Sequence, residues 1–252
     1  MKKNIYVLCG GKSVEHEVSL KSASAIINAI DRKKYNVYPI YITHEGVWCN
    51  LGLWSKNIED PNELNKPCDS TVGVSMGEFL TKELDENKEN IVFPALHGLN
   101  GEDGTIQGFL ELLNIPYVGN EVLSSSLAMD KVFTKDLLCR YNIPQVKYVS
   151  FNHYDWENHK EECCKKTEKN LSYPCYVKPS NGGSSVGINV ANTKEELEKS
   201  IEEAFLYDGK VVIEEDALAR EMQISVIGNH EPKASLPGEF IMERPFFDYN
   251  AK

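Results

Sequence analysis

Apolar and polar positions along this chain fall into blocks that predict strand, helix and strand in turn. Asn4 to Cys9, "NIYVLC", is a short apolar run ending at Gly10-Gly11. It is followed by apolar residues at Leu20, Ala23, Ile27 and Ile30, the spacing of one helix face. The pattern reads as a buried strand feeding a helix. "YNVYPIYI" reads as a second strand, "NIVFPAL" as a third, and "TIQGFLELLNIP" as a helix stopped before Pro116. Strands separated by helices predict βαβ units and a mostly parallel sheet. After "PYVGN" the character changes: Leu123 to Tyr141 reads as one long helix, stopped near Asn142 and Pro144. Strand candidates follow at "VKYVSF", "YPCYVKPS", "GINVAN", "KVVIEED" and "MQISVIG". Between them "TKEELEKSIEEAF" opens with Thr193 and Glu196 at capping-box spacing. The polar stretch from Asn152 to Asn170 reads as a surface helix or loop.

Composition places the chain among soluble globular proteins. With 252 residues, 41% of them hydrophobic, the chain has enough apolar material for one large or two ordinary domains. The formal charge is -11 and no block of lysine and arginine exists, so the electrostatic footprint of a nucleic-acid partner is missing. The apolar run Ile5 to Cys9 is shorter than a signal-peptide core, and no stretch approaches a membrane span. Seven cysteines, none in C-x-x-C or histidine-paired spacing, read as reduced thiols of a cytoplasmic protein, mostly filling the core.

Three glycine clusters carry the candidate chemistry. "GGKS" at Gly10 to Ser13 resembles the end of a P-loop, but Tyr6 stands where that motif needs glycine, and no dinucleotide fingerprint follows. Glu15 and Glu17 stand at the start of the helix, where acids satisfy the helix dipole and would repel a phosphate. In the second cluster, "ALHGLNGEDGTIQG", Gly98, Gly101 and Gly104 follow a strand, which implies tight turns or close approach to a ligand. His97 and Glu102 then lie at the carboxyl edge of a parallel sheet, where α/β proteins bind ligands. The third cluster, "KPSNGGSSVG", follows Lys178 and reads as a flexible hairpin tip whose backbone N–H groups and hydroxyls suit phosphate oxygens. Downstream, Glu214, Glu215 and Glu221 are suited to accept hydrogen bonds from an amino group and from ribose hydroxyls.

Six segments in order, "GGKSVEHEVSL", "ALHGLNGEDGTIQG", "MDK", "VKPSNGGSSVGI", "VVIEE" and "FFDYNAK", together resemble the D-alanine:D-alanine ligases of the ATP-grasp superfamily, and the resemblance covers essentially the whole chain. It implies a Rossmann-like N-terminal domain over residues 1–120, a central ATP-grasp domain over 121–218, and the start of a C-terminal ATP-grasp domain over 219–252. The implied reaction phosphorylates the carboxylate of one D-alanine with ATP, and a second D-alanine attacks the acyl phosphate to give a dipeptide for peptidoglycan. Mg2+, or Mn2+, bridges the phosphates. By the same resemblance, Glu15 holds the ammonium of the first D-alanine, His97 lies near its carboxylate, and Glu102 supports that pocket. Lys131, Lys178 and Lys252 grip ATP phosphates. Ser184, with Ser185 beside it, orients Glu15 and the active-site loop, while Glu214, Glu215 and Glu221 receive adenine and ribose.

The physics suits that division of labour. Phosphoryl transfer is mainly positioning and electrostatic stabilisation, and a charge pair at 4 Å is worth about 1 kcal/mol in water but about 4 at an effective dielectric of 20. A closing hairpin and ω-loop would supply the dry site. Two positions depart from the pattern: Ala219 stands where the family has glycine, and the sequence stops at Lys252, inside the ω-loop. The family's metal ligands fall beyond Lys252, so no metal ligand is assigned and these 252 residues by themselves are expected not to catalyse ligation. Val186, where D-lactate-forming relatives carry phenylalanine, favours D-alanine over D-lactate. D-Serine as second substrate, another ATP-grasp carboxylate-amine ligase, and a non-catalytic nucleotide-binding protein stay open as alternatives. Family members are commonly dimers, which makes a homodimer the implied assembly.

Overall fold

The central strand of the first sheet serves two cores at once. In the computed structural model, which describes residues 2–84, 89–218 and 220–241, the chain divides into two compact units, Met1–Leu137 and Leu138–Lys252. The first contains β1 (Lys3–Gly10), α1 (His16–Ala29), β2 (Tyr35–Ile42), β3 (Trp48–Asn50), α2 (Val72–Glu78), β4 (Asn90–Pro94), α3 (Thr105–Leu112) and α4 (Val122–Met129), and α5 (Lys131–Arg140) runs past residue 137. The sheet order is β3-β2-β1-β4. β1 pairs in parallel with β2 and β4, as the alternating pattern predicts, and β3 adds an antiparallel edge that the sequence reading did not contain.

Side chains alternate across a strand, so Ile5, Val7 and Cys9 meet Leu20, Ala23 and Ile27 of α1 on one face. Tyr6 and Leu8 meet Phe79, Ile106 and Leu110 on the other. Fully burying an aliphatic side chain of this size stabilises by roughly 1.5–3 kcal/mol, and this double burial fixes the carboxyl edge of β1. Polar residues on the inner face of α1 register the helix along the sheet. The Ser19 hydroxyl donates to the Ala95 carbonyl at 2.7 Å and accepts from the Gly10 N–H at 2.9 Å.

The second unit contains β5 (Tyr148–Asn152), α6 (His153–Asn170), β6 (Cys175–Pro179), β7 (Asn189–Ala191), α7 (Lys194–Ala204), β8 (Lys210–Glu215), β9 (Glu221–Gln223), β10 (Val226–Ile227), β11 (Lys233–Ala234) and β12 (Gly238–Phe240). Its main sheet is antiparallel in the order β5-β8-β6-β7, with two small ribbons, β10-β11 and β12-β9, beyond it. Cys175, Val177, Val211 and Ile213 form a core with Trp156, Cys163 and Cys164 of α6 and Leu197 and Ile201 of α7.

Several expectations are corrected. The helix expected over Leu123 to Tyr141 is two helices, because Asp130 takes an extended conformation and its carboxylate accepts the N–H groups of Val132 and Phe133 at 3.0 and 3.1 Å, capping α5. The single strand expected at "MQISVIG" is interrupted, giving β9 and β10. The polar stretch from Asn152 to Asn170, expected as surface helix or loop, is the helix α6, opened by a capping box between Asn152 and Asp155. The cysteines are not all reduced: β3 and the segment after Leu64 bring Cys49 and Cys68 together as a disulfide, with Cα atoms 6.0 Å apart. Their separation of 19 residues carries no spacing motif, so only the chain path reveals the pair. Of the five free thiols, four are buried and Cys139 is exposed. No helix among the described residues is long and apolar enough to cross a membrane. "FFDYNAK", with Lys252, and Ala219 lie outside the described residues.

Candidate active site

In the first unit the site begins where β1 ends. The chain turns at Gly10 and Gly11, and Glu15 lands just before α1 with only 5% of its surface exposed. Its carboxyl group is no helix cap; the Ser13 hydroxyl donates to Oε2, and the Ser13 oxygen lies 3.2 Å from the Glu15 amide. Glu17, by contrast, is an exposed acid in the first turn of α1. Gly98 closes over this pair. Its φ is +68°, and a Cβ there would overlap the Glu15 carboxylate and lie 2.6 Å from the Ser13 hydroxyl oxygen. Only glycine tolerates both the backbone conformation and that approach.

His97 and Glu102 stand together in the same loop. His97 Nδ1 is 3.5 Å from Glu102 Oε1, and Glu102 Oε2 accepts the Gly98 N–H at 2.8 Å. The hydrogen bond to Glu102 raises the His97 pKa above its ordinary value, outweighing partial burial, and the charges of Glu102 and Glu15 add to it. For Glu102, burial works against ionisation, but the bonds from His97 and the Gly98 amide prevail and its pKa is lowered. The other ring nitrogen, His97 Nε2, lies 2.8 Å from the Ser22 hydroxyl of α1. Ser13 and Ser22 are the residues that sequence reasoning missed. Ser22 sits one helical turn after Ser19, so two hydroxyls beside the apolar face of α1 were the available signal. A cleft of about 350 Å³, lined by Gly11, Ser13, Trp48, Leu96, His97 and Phe109 among others, opens beside this loop. Lys131 is the first residue of α5 and half-buried.

In the second unit the antiparallel register sorts the residues by face. Tyr176 is paired with Glu214, and two residues on, Lys178 shares the face of Tyr176. Lys178 Nζ donates to Glu214 Oε2 at 2.6 Å and lies 5.9 Å from the Tyr176 ring centroid. Lys178 and Glu214, expected at opposite ends of a nucleotide, are thus joined directly. The glycine-serine segment is a hairpin tip between β6 and β7, as expected, and Gly182, Ser184, Ser185 and Gly187 all have positive φ. Its base is held by Asp208, whose carboxylate accepts the Asn181 N–H at 2.6 Å. Glu215 accepts the Lys147 N–H at 2.7 Å, and so its carboxylate is partly committed to the sheet edge. Glu221 is exposed on β9.

A family model described as the D-ala D-ala ligase N-terminus matches residues 4–120, and one described as the D-ala D-ala ligase C-terminus matches residues 137–252. The chain is 46% identical over 258 residues to a D-alanine–D-alanine ligase of Geobacillus thermodenitrificans and 47% identical over 264 residues to one of Listeria welshimeri. Each alignment spans all of this chain and 71% of the relative. Among solved structures, a D-alanine–D-alanine ligase from Coxiella burnetii superposes with a TM-score of 0.75 at 34% identity, covering 95% of this chain and 71% of that one. A D-Ala:D-Ser ligase from Enterococcus faecalis gives 0.79 at 34% identity, covering 100% and 74%. Matched by family models in both halves and 46–47% identical along its whole length to the Geobacillus and Listeria ligases, the chain has the α/β ATP-grasp fold and belongs to the D-alanine–D-alanine ligase family.

Proposed function

We propose that this protein joins two D-alanines into D-alanyl-D-alanine, with cleavage of ATP to ADP and phosphate, as a step of peptidoglycan precursor synthesis. The observation that carries the reading is the buried Glu15 carboxylate, oriented by Ser13 beneath Gly98. A carboxylate taken out of water needs a cation or donors to offset the lost hydration, and the ammonium of an amino acid supplies both. His97, whose protonated form is favoured by Glu102, then faces the carboxylate end of the same substrate. A carboxylate oxygen of that D-alanine attacks the γ-phosphorus, ADP departs, and the amine of the second D-alanine displaces phosphate from the acyl carbon and gives up a proton.

For the nucleotide, the residues present fit. Lys178 is a fixed cation at the root of a hairpin with four positive-φ residues, and its partner Glu214 is an acceptor suited to an exocyclic amino group. Nucleotide entry would exchange the Lys178–Glu214 pair for two contacts, lysine to phosphate and glutamate to adenine. Lys131 and Lys252 would add charge at the phosphates, Ser184 and Ser185 would close over them, and Glu215 and Glu221 would serve the ribose side. Magnesium supplies further neutralisation of the phosphates when bound; no residue of this chain is assigned to it. The curated relatives at 46–47% identity named D-alanine–D-alanine ligase favour D-alanine over D-serine as second substrate. The proposed divisions remain residues 1–120, 121–218 and 219–252, and a homodimer in the cytoplasm is the proposed setting.

In the protein as its gene encodes it, D-alanine with magnesium should stimulate ATP cleavage, and mass spectrometry should find D-alanyl-D-alanine; ATP cleavage indifferent to D-alanine would contradict the reading. Gly98→Ala should raise the KM for D-alanine tenfold or more and leave ATP affinity within twofold, read from initial rates and nucleotide titration. The pH profile tests the charge on His97. Its pKa lies above the ordinary 6.5, so the cation is complete below that value and is lost as pH rises through the raised one. Glu102→Gln removes the anion that raises it. The alkaline limb of kcat/KM for D-alanine should therefore move to lower pH, with the His97 ring titrating lower by NMR.

A further inference from the structure

His16, Glu17 and His44 lie beside the site but take no part in the reaction proposed above. One potential ligand atom from each falls within 4.8 Å of the other two. His16 is buried, with 1% of its surface exposed, while Glu17 and His44 are exposed. The His44 ring stacks on that of His16, with centroids 3.8 Å apart and planes inclined by 21°.

The hydrogen bonds of His16 set its tautomer. Nδ1 lies 2.6 Å from the Gly11 carbonyl, which can only accept, so Nδ1 carries the proton. The lone pair is left on Nε2, whose neighbour is the Tyr41 hydroxyl at 3.3 Å, a long contact that a stronger ligand can displace. A ring nitrogen that donates to a backbone carbonyl while the other keeps its lone pair is how metal-ligating histidines are held. Gly10 adds to the fixity, since a Cβ there would come 2.9 Å from the His16 ring. The buried imidazole is therefore a preset donor, and the two exposed side chains are the movable ones.

We propose that His16 Nε2, His44 and the Glu17 carboxylate bind one divalent transition-metal ion of the zinc type. Two nitrogens and one carboxylate suit zinc, nickel or copper and not magnesium, which takes oxygen ligands. The site is thus chemically separate from any nucleotide-bound magnesium. Ligand atoms about 2.1 Å from a tetrahedral ion are about 3.4 Å apart, so His44 must turn out of its stack and Glu17 must close in, with water as fourth ligand. An ion held there ties the first turn of α1, directly after Glu15, to the turn between β2 and β3. The proposal stands independently of the ligase reading.

The test is titration of Zn2+ into the purified protein by calorimetry, with Co2+ absorption as a second readout, in a Cys139→Ser background that removes the exposed thiol. One ion per chain is expected, with affinity falling tenfold or more in His44→Ala and in Glu17→Gln, and unaffected by excess Mg2+. Both substituted side chains are exposed, and unchanged thermal melting would show that the variants fold. Absence of binding, or a fall of less than tenfold in His44→Ala, would overturn the proposal.

Discussion

A carboxyl group buried at the start of a helix organises the first unit. Glu15 is shielded from water by the Gly98 backbone and held by one hydroxyl, that of Ser13, so its position depends on everything that fixes those two residues. β1, buried on both faces, sets where Gly10 and Gly11 turn; Ser19 fixes α1 against that turn; and the loop after β4 is drawn over the top by Glu102 and by the Gln107 side chain, which donates to the Gly101 carbonyl at 2.9 Å. The result is a preorganised carboxylate next to a histidine whose positive charge is favoured. In the proposed function these two groups complement the ammonium and carboxylate ends of an amino acid, and the fold fixes both in place.

The second unit uses the same logic with a different partner. Lys178 is neutralised by Glu214 across adjacent strands, on the face of the sheet turned away from Val177 and Ile213. Each charge has the other as its counterion, and in the proposed binding mode a nucleotide would replace that contact by offering an anion to one and a donor to the other. Breaking such a pair by removing one member leaves an uncompensated charge, so the two residues are coupled in stability as well as in the proposed binding.

Much of this was legible in the sequence because period and punctuation are local. The apolar run of β1, the 3–4 spacing of Leu20, Ala23 and Ile27, and the glycines at 98, 101 and 104 each sit within a dozen residues. What escaped depended on distant parts of the chain. Cys49 and Cys68 meet only once β3 has paired with β2, and β3 itself is three residues long, too short for a period to show. Asp130 looked like one more polar residue in a helix, although its cap breaks that helix in two. In α6 the buried Trp156, Cys163, Cys164 and Thr167 lie at helical spacing, but charged neighbours masked them. Ser13 and Ser22 were hard to pick out as site residues because a serine says little until its hydrogen-bond partner is known, and those partners, Glu15 and His97, are placed by the fold.

In the proposed function Glu15 is the ammonium receptor for the first D-alanine. Calorimetric titration of D-alanine into the protein, with a non-hydrolysable ATP analogue and magnesium present, tests it most directly when wild type is compared with Glu15→Gln. The amide keeps the shape and can still accept from Ser13, but it lacks the charge. The wild type should bind D-alanine and the variant should lose affinity tenfold or more, with the analogue bound equally by both. Equal D-alanine affinity in the two proteins would contradict it.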